Sequence, residues 1–183
     1  CLPTTSVNIS SKCLQQAKKN LSSVLNNMNV QTVIIGTTWY ANKYVNSDGI
    51  LVDKNNLKLA IEDLISKIRH SGKHPILFSP IAVPERDHAS ELARKLRFGQ
   101  ITEQEVYDII KFPRSEFDDK FGELNLYFNN LLGDSYIKIY DDLCNHSSCF
   151  FGTDKLFYFA DNTHLSKYAV INFSKAKKQL QSL

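Results

Sequence analysis

Four short, mainly apolar runs constrain the fold of this chain more than any other feature of its sequence. They lie at Thr32–Gly36, Pro75–Ser79, Tyr136–Tyr140 and Phe157–Phe159. In the first run the apolar residues follow one another without alternation, which is typical of a strand covered on both faces. Because helix-length stretches separate the runs, we predict an α/β fold of three layers, α/β/α, with a mostly parallel sheet in the middle.

The helices are predicted from apolar residues that recur every three or four positions. The predicted helices span residues 11–28, 55–72, 87–96, 102–110 and 115–131, with a last helix from 165 onward. Asn55 or Asn56 is the expected N-cap of the second helix, and Gly72 ends it. Thr102 and Glu105 have the spacing of a capping box, which predicts a sharp helix start there.

Length and charge indicate one globular domain, which we place at residues 1–183. The formal net charge of +3 is small and spread along the chain, so nucleic acid is not expected as a partner. No stretch approaches the roughly 18 consecutive apolar residues that a membrane span requires.

The four cysteines fall into two local pairs, Cys1 with Cys13 and Cys144 with Cys149. Four cysteines allow three connectivities, and local pairing is the simplest of them. The alternative, a metal site, favours closer Cys-x-x-Cys spacings or histidines at ligand spacing, and only His146 lies inside the second loop. We predict two disulfides and therefore an oxidising compartment. Because the chain starts at Cys1 without a signal sequence, we expect it to be cut from a longer protein.

The stretch from Phe157 to Tyr168 carries the candidate catalytic pair, Asp161 and His164. A histidine that takes a proton from a serine needs one ring nitrogen free, and a carboxylate on the same turn holds the other. A helix that starts just after His164 favours the neutral ring through its positive dipole end. The alternative is a pair of ordinary surface residues. The position after a predicted strand favours catalysis, because open α/β sheets bind ligands at the carboxyl ends of their strands.

Four segments of the sequence occur together in a recognisable order. They are Cys1-x-Pro3 with Cys13 opening the first helix, the strand that runs into Gly36-Thr37-Thr38-Trp39, the strand Ile76-Leu77-Phe78-Ser79-Pro80, and the closing Cys144, Cys149, Tyr158 and Asp161-x-x-His164-Leu165-Ser166. In these segments the chain resembles the SGNH hydrolase-like domain that is fused to membrane acyltransferase family 3 proteins, which O-acylate bacterial surface sugars. The resemblance covers nearly the whole chain, and its closing segment is the most specific.

The resemblance implies a flavodoxin-like SGNH hydrolase fold and an O-acyltransferase or esterase that works through Ser, His and Asp. His164 would act as general base and then as general acid, and Asp161 would orient it. The implied partners are an acyl donor, with acetyl the first choice, a glycan hydroxyl as acceptor, and a membrane acyltransferase domain N-terminal to this one. The implied location is the periplasmic side of the bacterial inner membrane, and no metal or organic cofactor is implied.

The chain departs from the family pattern at the nucleophile. The family's serine lies in a Gly-Asp-Ser-His motif after the first strand, upstream of the Cys-x-Pro segment, so we expect this chain to lack both and to be inactive alone. Gly133-Asp134-Ser135 is not expected to replace it. A nucleophilic serine leaves a strand and enters a helix, whereas Ser135 leaves a predicted helix and enters a predicted strand.

Three residues after the first predicted strand are candidates for a substrate or oxyanion region. Trp39 could form the wall of a sugar or acyl pocket, and the alternative is a tryptophan of the core. Gly36 and Thr38 could shape the oxyanion region, although the Asn that the family usually has in this segment is missing.

Two other functions stay open at this point. One is a catalytically silent module that holds a glycan or docks on the membrane domain, which the missing nucleophile fits as well as truncation does. The other is a flavodoxin-like nucleotide binder, which is disfavoured because no Gly-rich phosphate loop follows a predicted strand. The residues that precede Cys1 in the parent gene would separate the silent module from the enzyme.

Overall fold

A computed structural model of the chain describes residues 4, 6–36, 39, 44–81, 83, 88–153, 156–160 and 164–183. The chain divides into two compact units, Cys1–Phe78 and Ser79–Leu183. This division leaves the single SGNH-like domain over residues 1–183 as a prediction.

The first unit is built around a strand–helix–strand motif. Its elements are β1 (Val7–Asn8), α1 (Ser11–Asn26), β2 (Thr32–Ile35), β3 (Val45–Asn46), α2 (Lys54–His70) and β4 (His74–Phe78). β2 and β4 pair in parallel, with Thr32 opposite His74 and Ile35 opposite Leu77. Because α2 connects them, the pair is the βαβ unit that the alternating pattern predicted.

α2 contributes a continuous buried stripe to the core of the first unit. Its inward stripe is at most 1% exposed and consists of Leu57, Ile61, Leu64, Ile65 and Ile68. These positions are spaced by threes and fours, so the helical periodicity in the sequence correctly predicted both the helix and its buried face.

The caps of α2 confirm one sequence prediction and correct another. The N-cap is Asp53, whose carboxylate accepts a hydrogen bond from the Asn56 N–H at 2.8 Å. The predicted caps Asn55 and Asn56 are therefore wrong, because both residues already lie inside the first turn of α2. The helix ends as predicted, with Gly72 at a φ of 74°.

The second unit is richer in helices. Its elements are α3 (His88–Arg97), α4 (Glu103–Ile110), β5 (Lys111–Pro113), α5 (Arg114–Leu132), a 3-10 helix (Gly133–Ser135), β6 (Tyr136–Ile137), α6 (Tyr140–Leu143), β7 (Ser148–Phe150), α7 (Lys167–Asn172) and α8 (Ser174–Gln181). The capping box of Thr102 and Glu105 is present at the start of α4, as predicted. No helix among the described residues is both long and apolar enough to cross a bilayer.

β2 and β4 lie side by side in the parallel sheet of the first unit. The α/β fold class with a parallel sheet is confirmed. The expectation that β2 is covered on both faces is wrong, because Ile35 is 1% exposed but Ile34 is 57% exposed.

The third apolar run, Tyr136–Tyr140, forms a shorter strand than predicted. β6 ends at Ile137, and Ile139 already has the helical φ of −56° and ψ of −34° that precede α6. Asp141 and Asp142 lie in the first turn of α6, where negative charge stabilises a helix start. Helix formation therefore replaces the last residues of the predicted strand.

The core of the second unit contains a buried hydrogen bond. The predicted stripe of α5 is buried at Phe117, Phe121 and Phe128. Among these rings the hydroxyl of Tyr136 donates to the Asn125 side-chain oxygen at 2.5 Å, so both buried polar groups are paired. Burial raises the pKa of the Tyr136 phenol far above its usual value, so the group stays a neutral donor.

One predicted disulfide is confirmed within the described residues. Cys144 and Cys149 are bonded, with Cα atoms 4.0 Å apart, and they close the turn before β7. Cys13 is also disulfide-bonded, and its predicted partner Cys1 lies outside the described residues.

Candidate functional site

The aromatic residues 157–159 precede His164 but do not form a strand of the parallel sheet. Phe157 makes an isolated antiparallel bridge with Gly152, and Phe159 makes one with Leu165. The prediction that this run is a sheet strand is therefore wrong. A side chain at position 152 would clash with the Leu156 carbonyl, so the bridge depends on a glycine.

The side chains of this aromatic run pack within the second unit. Phe157 packs against a cluster of Leu92, Val106 and Ile110, which are at most 2% exposed. The ring of Phe159 lies edge-on to Phe151, with centroids 5.8 Å apart. This packing buries the aromatic run outside the sheet and anchors the start of the segment that leads to His164.

The backbone on the two sides of the candidate pair is held together. The Ala160 N–H donates to the His164 carbonyl at 2.8 Å, and the Ser166 N–H donates to the Tyr158 carbonyl at 2.7 Å. These two bonds form the antiparallel bridge between Phe159 and Leu165, and they fix the base of the segment 160–164. His164 is an exposed residue at this base.

Asp161, the second residue of the predicted pair, lies outside the described residues. The assignment of Asp161 and His164 as a catalytic pair therefore stays a prediction.

α7 begins three residues after His164, with Ser166 as its N-cap. The Ser166 hydroxyl accepts a hydrogen bond from the Ala169 N–H at 3.2 Å and donates one to the Phe157 carbonyl at 3.0 Å. One hydroxyl thus joins the start of the helix to the aromatic run. Sequence reasoning placed the helix start at Leu165 and missed Ser166, although a serine just before a helical stretch is a typical N-cap signal.

The carboxylate of Asp142 caps the start of the last helix, α8. Its two oxygens accept from the backbone N–H groups of Lys175 at 2.9 Å and Ala176 at 2.8 Å, at the start of α8. The N-cap residue Phe173 has no side-chain acceptor, so Asp142 takes over the capping. Burial, followed by the negative charge of Asp142, raises the pKa of the half-buried Tyr158 phenol. Tyr158 is therefore a neutral hydroxyl near neutral pH.

The candidates for a substrate or oxyanion region belong to the first unit. Gly36 is exposed directly after the carboxyl end of β2, and an alanine side chain there would make only an ordinary contact with Phe78. Trp39 is 4% exposed, which is the burial that the core interpretation expects. Thr38 lies outside the described residues. The substrate and oxyanion roles of these three residues stay predictions.

An apolar groove runs beside β2 in the first unit. It has a volume of about 240 Å³ and is lined by α1, β2 and α2, including Leu21, Val33, Ile34 and Leu64. No side chain of the described residues bonds to the backbone of β2. The groove therefore lies next to a strand that offers both apolar side chains and a hydrogen-bonding edge.

Comparison with known proteins identifies the family of the chain and a solved structure with a similar fold. Residues 1–176 match the protein family described as SGNH domain (fused to AT3 domains). The solved structure of the Salmonella ser. Paratyphi A lipopolysaccharide acetyltransferase periplasmic domain is similar to the chain, with a TM-score of 0.63 and 17% sequence identity. The match covers 98% of this chain and 68% of that chain, and at this identity it shows the fold alone. None of the curated proteins compared with the chain matches it.

Proposed function

The chain belongs to the family of SGNH domains fused to AT3 domains, and we propose that it is the SGNH domain of an enzyme that transfers an acetyl group to a glycan hydroxyl. The observation that carries this proposal is the exposed His164 on a segment whose base is fixed by backbone hydrogen bonds. A general base must be both accessible and held in place. The acetyltransferase periplasmic domain with the same fold supports the acetyl group and a periplasmic location.

In the proposed reaction a serine hydroxyl attacks the carbonyl carbon of the acyl donor while His164 takes the hydroxyl proton. Asp161 holds the His164 ring in the correct tautomer and stabilises the imidazolium. The tetrahedral intermediate collapses as His164 gives the proton to the leaving group, which leaves an acyl-serine. The glycan hydroxyl then attacks this ester, His164 takes the proton of that hydroxyl, and the proton returns to the serine oxygen as the acylated glycan leaves.

We propose that the nucleophilic serine precedes Cys1 in the parent protein, at the end of a strand that pairs with β2. Three observations support this: no side chain of the described residues bonds to the backbone of β2, an apolar groove of about 240 Å³ lies beside this strand, and Ile34 is 57% exposed. A further strand would pair with the edge of β2, and its side chains would lie beside Ile34 on the same face of the sheet. A strand added in parallel to β2 would deliver its following residue to the carboxyl edge, next to Gly36.

The proposed partners follow from the family description. An AT3 domain in the same parent chain would supply the acyl group across the membrane, and the SGNH domain would pass it to the glycan. Gly36, Thr38 and Trp39 are the residues proposed to line the substrate and oxyanion region. No nucleic acid and no cofactor take part in this proposal.

The test uses a longer piece of the parent protein, which begins upstream of Cys1 and includes the expected Gly-Asp-Ser segment. We expect His164→Ala to lower the turnover of an acetyl ester by roughly a thousandfold, because the general base is lost. The turnover of Asp161→Asn should fall almost as far, since asparagine favours the wrong tautomer of the His164 ring. His146→Ala is the matched control, because His146 is an exposed histidine of the same unit. The 183-residue chain alone should be inactive.

Two results would contradict the proposal. Esterase activity of the present chain that survives His164→Ala would place the nucleophile and base elsewhere. A parent protein without a serine after its upstream strand, and without activity, would favour the silent glycan-binding or docking module instead.

A further inference from the structure

We infer that Ser166 is a positioning residue that holds His164 in place for the proposed acyl transfer. The inference rests on the proposed function and adds a residue to it. Ser166 lies two positions after His164, and its hydroxyl uses both its donor and its acceptor capacity on backbone groups. It does not touch reacting atoms, so its effect on the reaction passes through His164.

The hydrogen bonds of Ser166 join two elements that enclose the His164 segment. On one side its N–H and its hydroxyl donate to consecutive carbonyls, Tyr158 at 2.7 Å and Phe157 at 3.0 Å. On the other side its hydroxyl accepts from the Ala169 N–H at 3.2 Å, which begins α7. Both anchors are firm, since Ala169 is fully buried and Phe157 packs on a buried cluster.

The chemistry of these bonds requires a hydroxyl. Aspartate caps a helix as well as serine does, but a carboxylate cannot donate to the Phe157 carbonyl. Alanine loses both bonds, whereas threonine keeps both. The three substitutions therefore separate helix capping from the bond to Phe157.

The position of His164 follows from this arrangement. The His164 carbonyl accepts from the Ala160 N–H and the Ser166 N–H donates to the Tyr158 carbonyl, and these two bonds form the bridge between Leu165 and Phe159. Without the Ser166 hydroxyl, the end of this segment is held by backbone bonds alone. A reaction can lose roughly a hundredfold in rate when its general base shifts by about 1 Å. We therefore expect the bonds of the Ser166 hydroxyl to affect the reaction rate more than folding.

The experiment compares Ser166→Ala, Ser166→Asp and Ser166→Thr in the parent protein extended upstream, with acetyl-ester turnover as the readout. We expect kcat to fall about 10- to 100-fold in Ser166→Ala and Ser166→Asp with KM nearly unchanged, and to recover in Ser166→Thr. Ser174→Ala is the matched control, because Ser174 is exposed at the start of the next helix. Thermal melting of each variant separates an effect on kcat from unfolding.

A second readout does not depend on activity. Hydrogen exchange of the Ala160 amide reports the bond to the His164 carbonyl in the 183-residue chain itself. We expect faster exchange in Ser166→Ala and Ser166→Asp, and unchanged exchange in Ser166→Thr.

The outcomes distinguish the inference from the function on which it rests. If His164→Ala is inactive while Ser166→Ala keeps its kcat within about twofold, the inference is overturned and the proposed function stands. If neither substitution lowers kcat, both are overturned. If Ser166→Asp is as active as the unchanged protein, capping alone explains Ser166 and the inference is wrong.

Discussion

β2 in the first unit and β6 in the second unit are both strands from short, mainly apolar runs, but their surroundings are very different. In β6, Tyr136 and Ile137 are fully buried, whereas in β2 Ile34 is 57% exposed. The apolar run predicts that a strand forms, but it does not reveal what covers the strand.

A side chain makes the hydrogen bonds to the edge of β6 that a neighbouring strand would make. The Gln179 amide of α8 donates to the Tyr136 carbonyl at 2.7 Å and accepts from the Lys138 N–H at 3.1 Å. The backbone of β2 receives no such bond from any side chain in the described part of the chain. An unpaired strand edge is a template for another strand, and this difference is why we propose that the upstream strand pairs with β2.

The largest expected effect comes from the two faces of β2. Ile35→Asp should lower the free energy of unfolding by several kcal/mol or prevent folding, because it buries an unpaired charge where Ile35 is 1% exposed. Ile34→Asp, one residue away, should change it by less than about 1 kcal/mol in the present chain. Urea unfolding of both variants measures the difference. Equal losses would mean that the outer face of β2 is already covered.

A smaller effect is expected at the covered edge of β6. Gln179→Ala removes the hydrogen bonds to Tyr136 and Lys138, which should cost about 1–2 kcal/mol. Gln181→Ala is the control, because Gln181 is an exposed glutamine of the same helix and should stay within about 0.5 kcal/mol. The same urea titration applies to both. An unchanged stability in Gln179→Ala would remove the contrast between the two edges.

Local signals predicted those parts of the fold that depend on neighbouring residues. The capping box of Thr102 and Glu105 is complete within four residues, and the sequence located it correctly. The buried stripe of α2 also follows from spacing alone. The N-cap Asp53 was missed because Asp and Asn are equally good N-caps by residue type. Only the backbone geometry shows that the helix starts directly after Asp53.

Signals that depend on distant residues were missed or misread. The aromatic run 157–159 has the composition of a strand, yet Phe157 packs on Leu92, Val106 and Ile110, more than 40 residues earlier in the chain. Gln179 bonds to Tyr136 of β6 from 43 positions further along the chain, and no local rule predicts that a glutamine of a helix bonds to the edge of a strand. Tertiary packing therefore decided these elements over local propensity.

The candidate site shows the same division. The Asp-x-x-His spacing pointed to His164, and the family resemblance that the spacing supported is confirmed. Ser166 was quoted only as part of the closing motif, because its bond to Phe157 depends on how the chain folds back across nine positions. Asp142 was not predicted at all, since it caps a helix 33 residues further along the chain.

Hydrogen exchange of the β2 amides tests the central claim, that the sheet continues from β2 into a strand that precedes Cys1. In the present chain, those amides of Thr32–Ile35 that face away from β4 should exchange fast. In the protein extended upstream, they should slow to the rate of the other amides of the strand. The Lys138 amide, which is already bonded to Gln179, should stay unchanged and serves as the internal control. Equally fast exchange of the β2 amides in the extended protein would contradict the account.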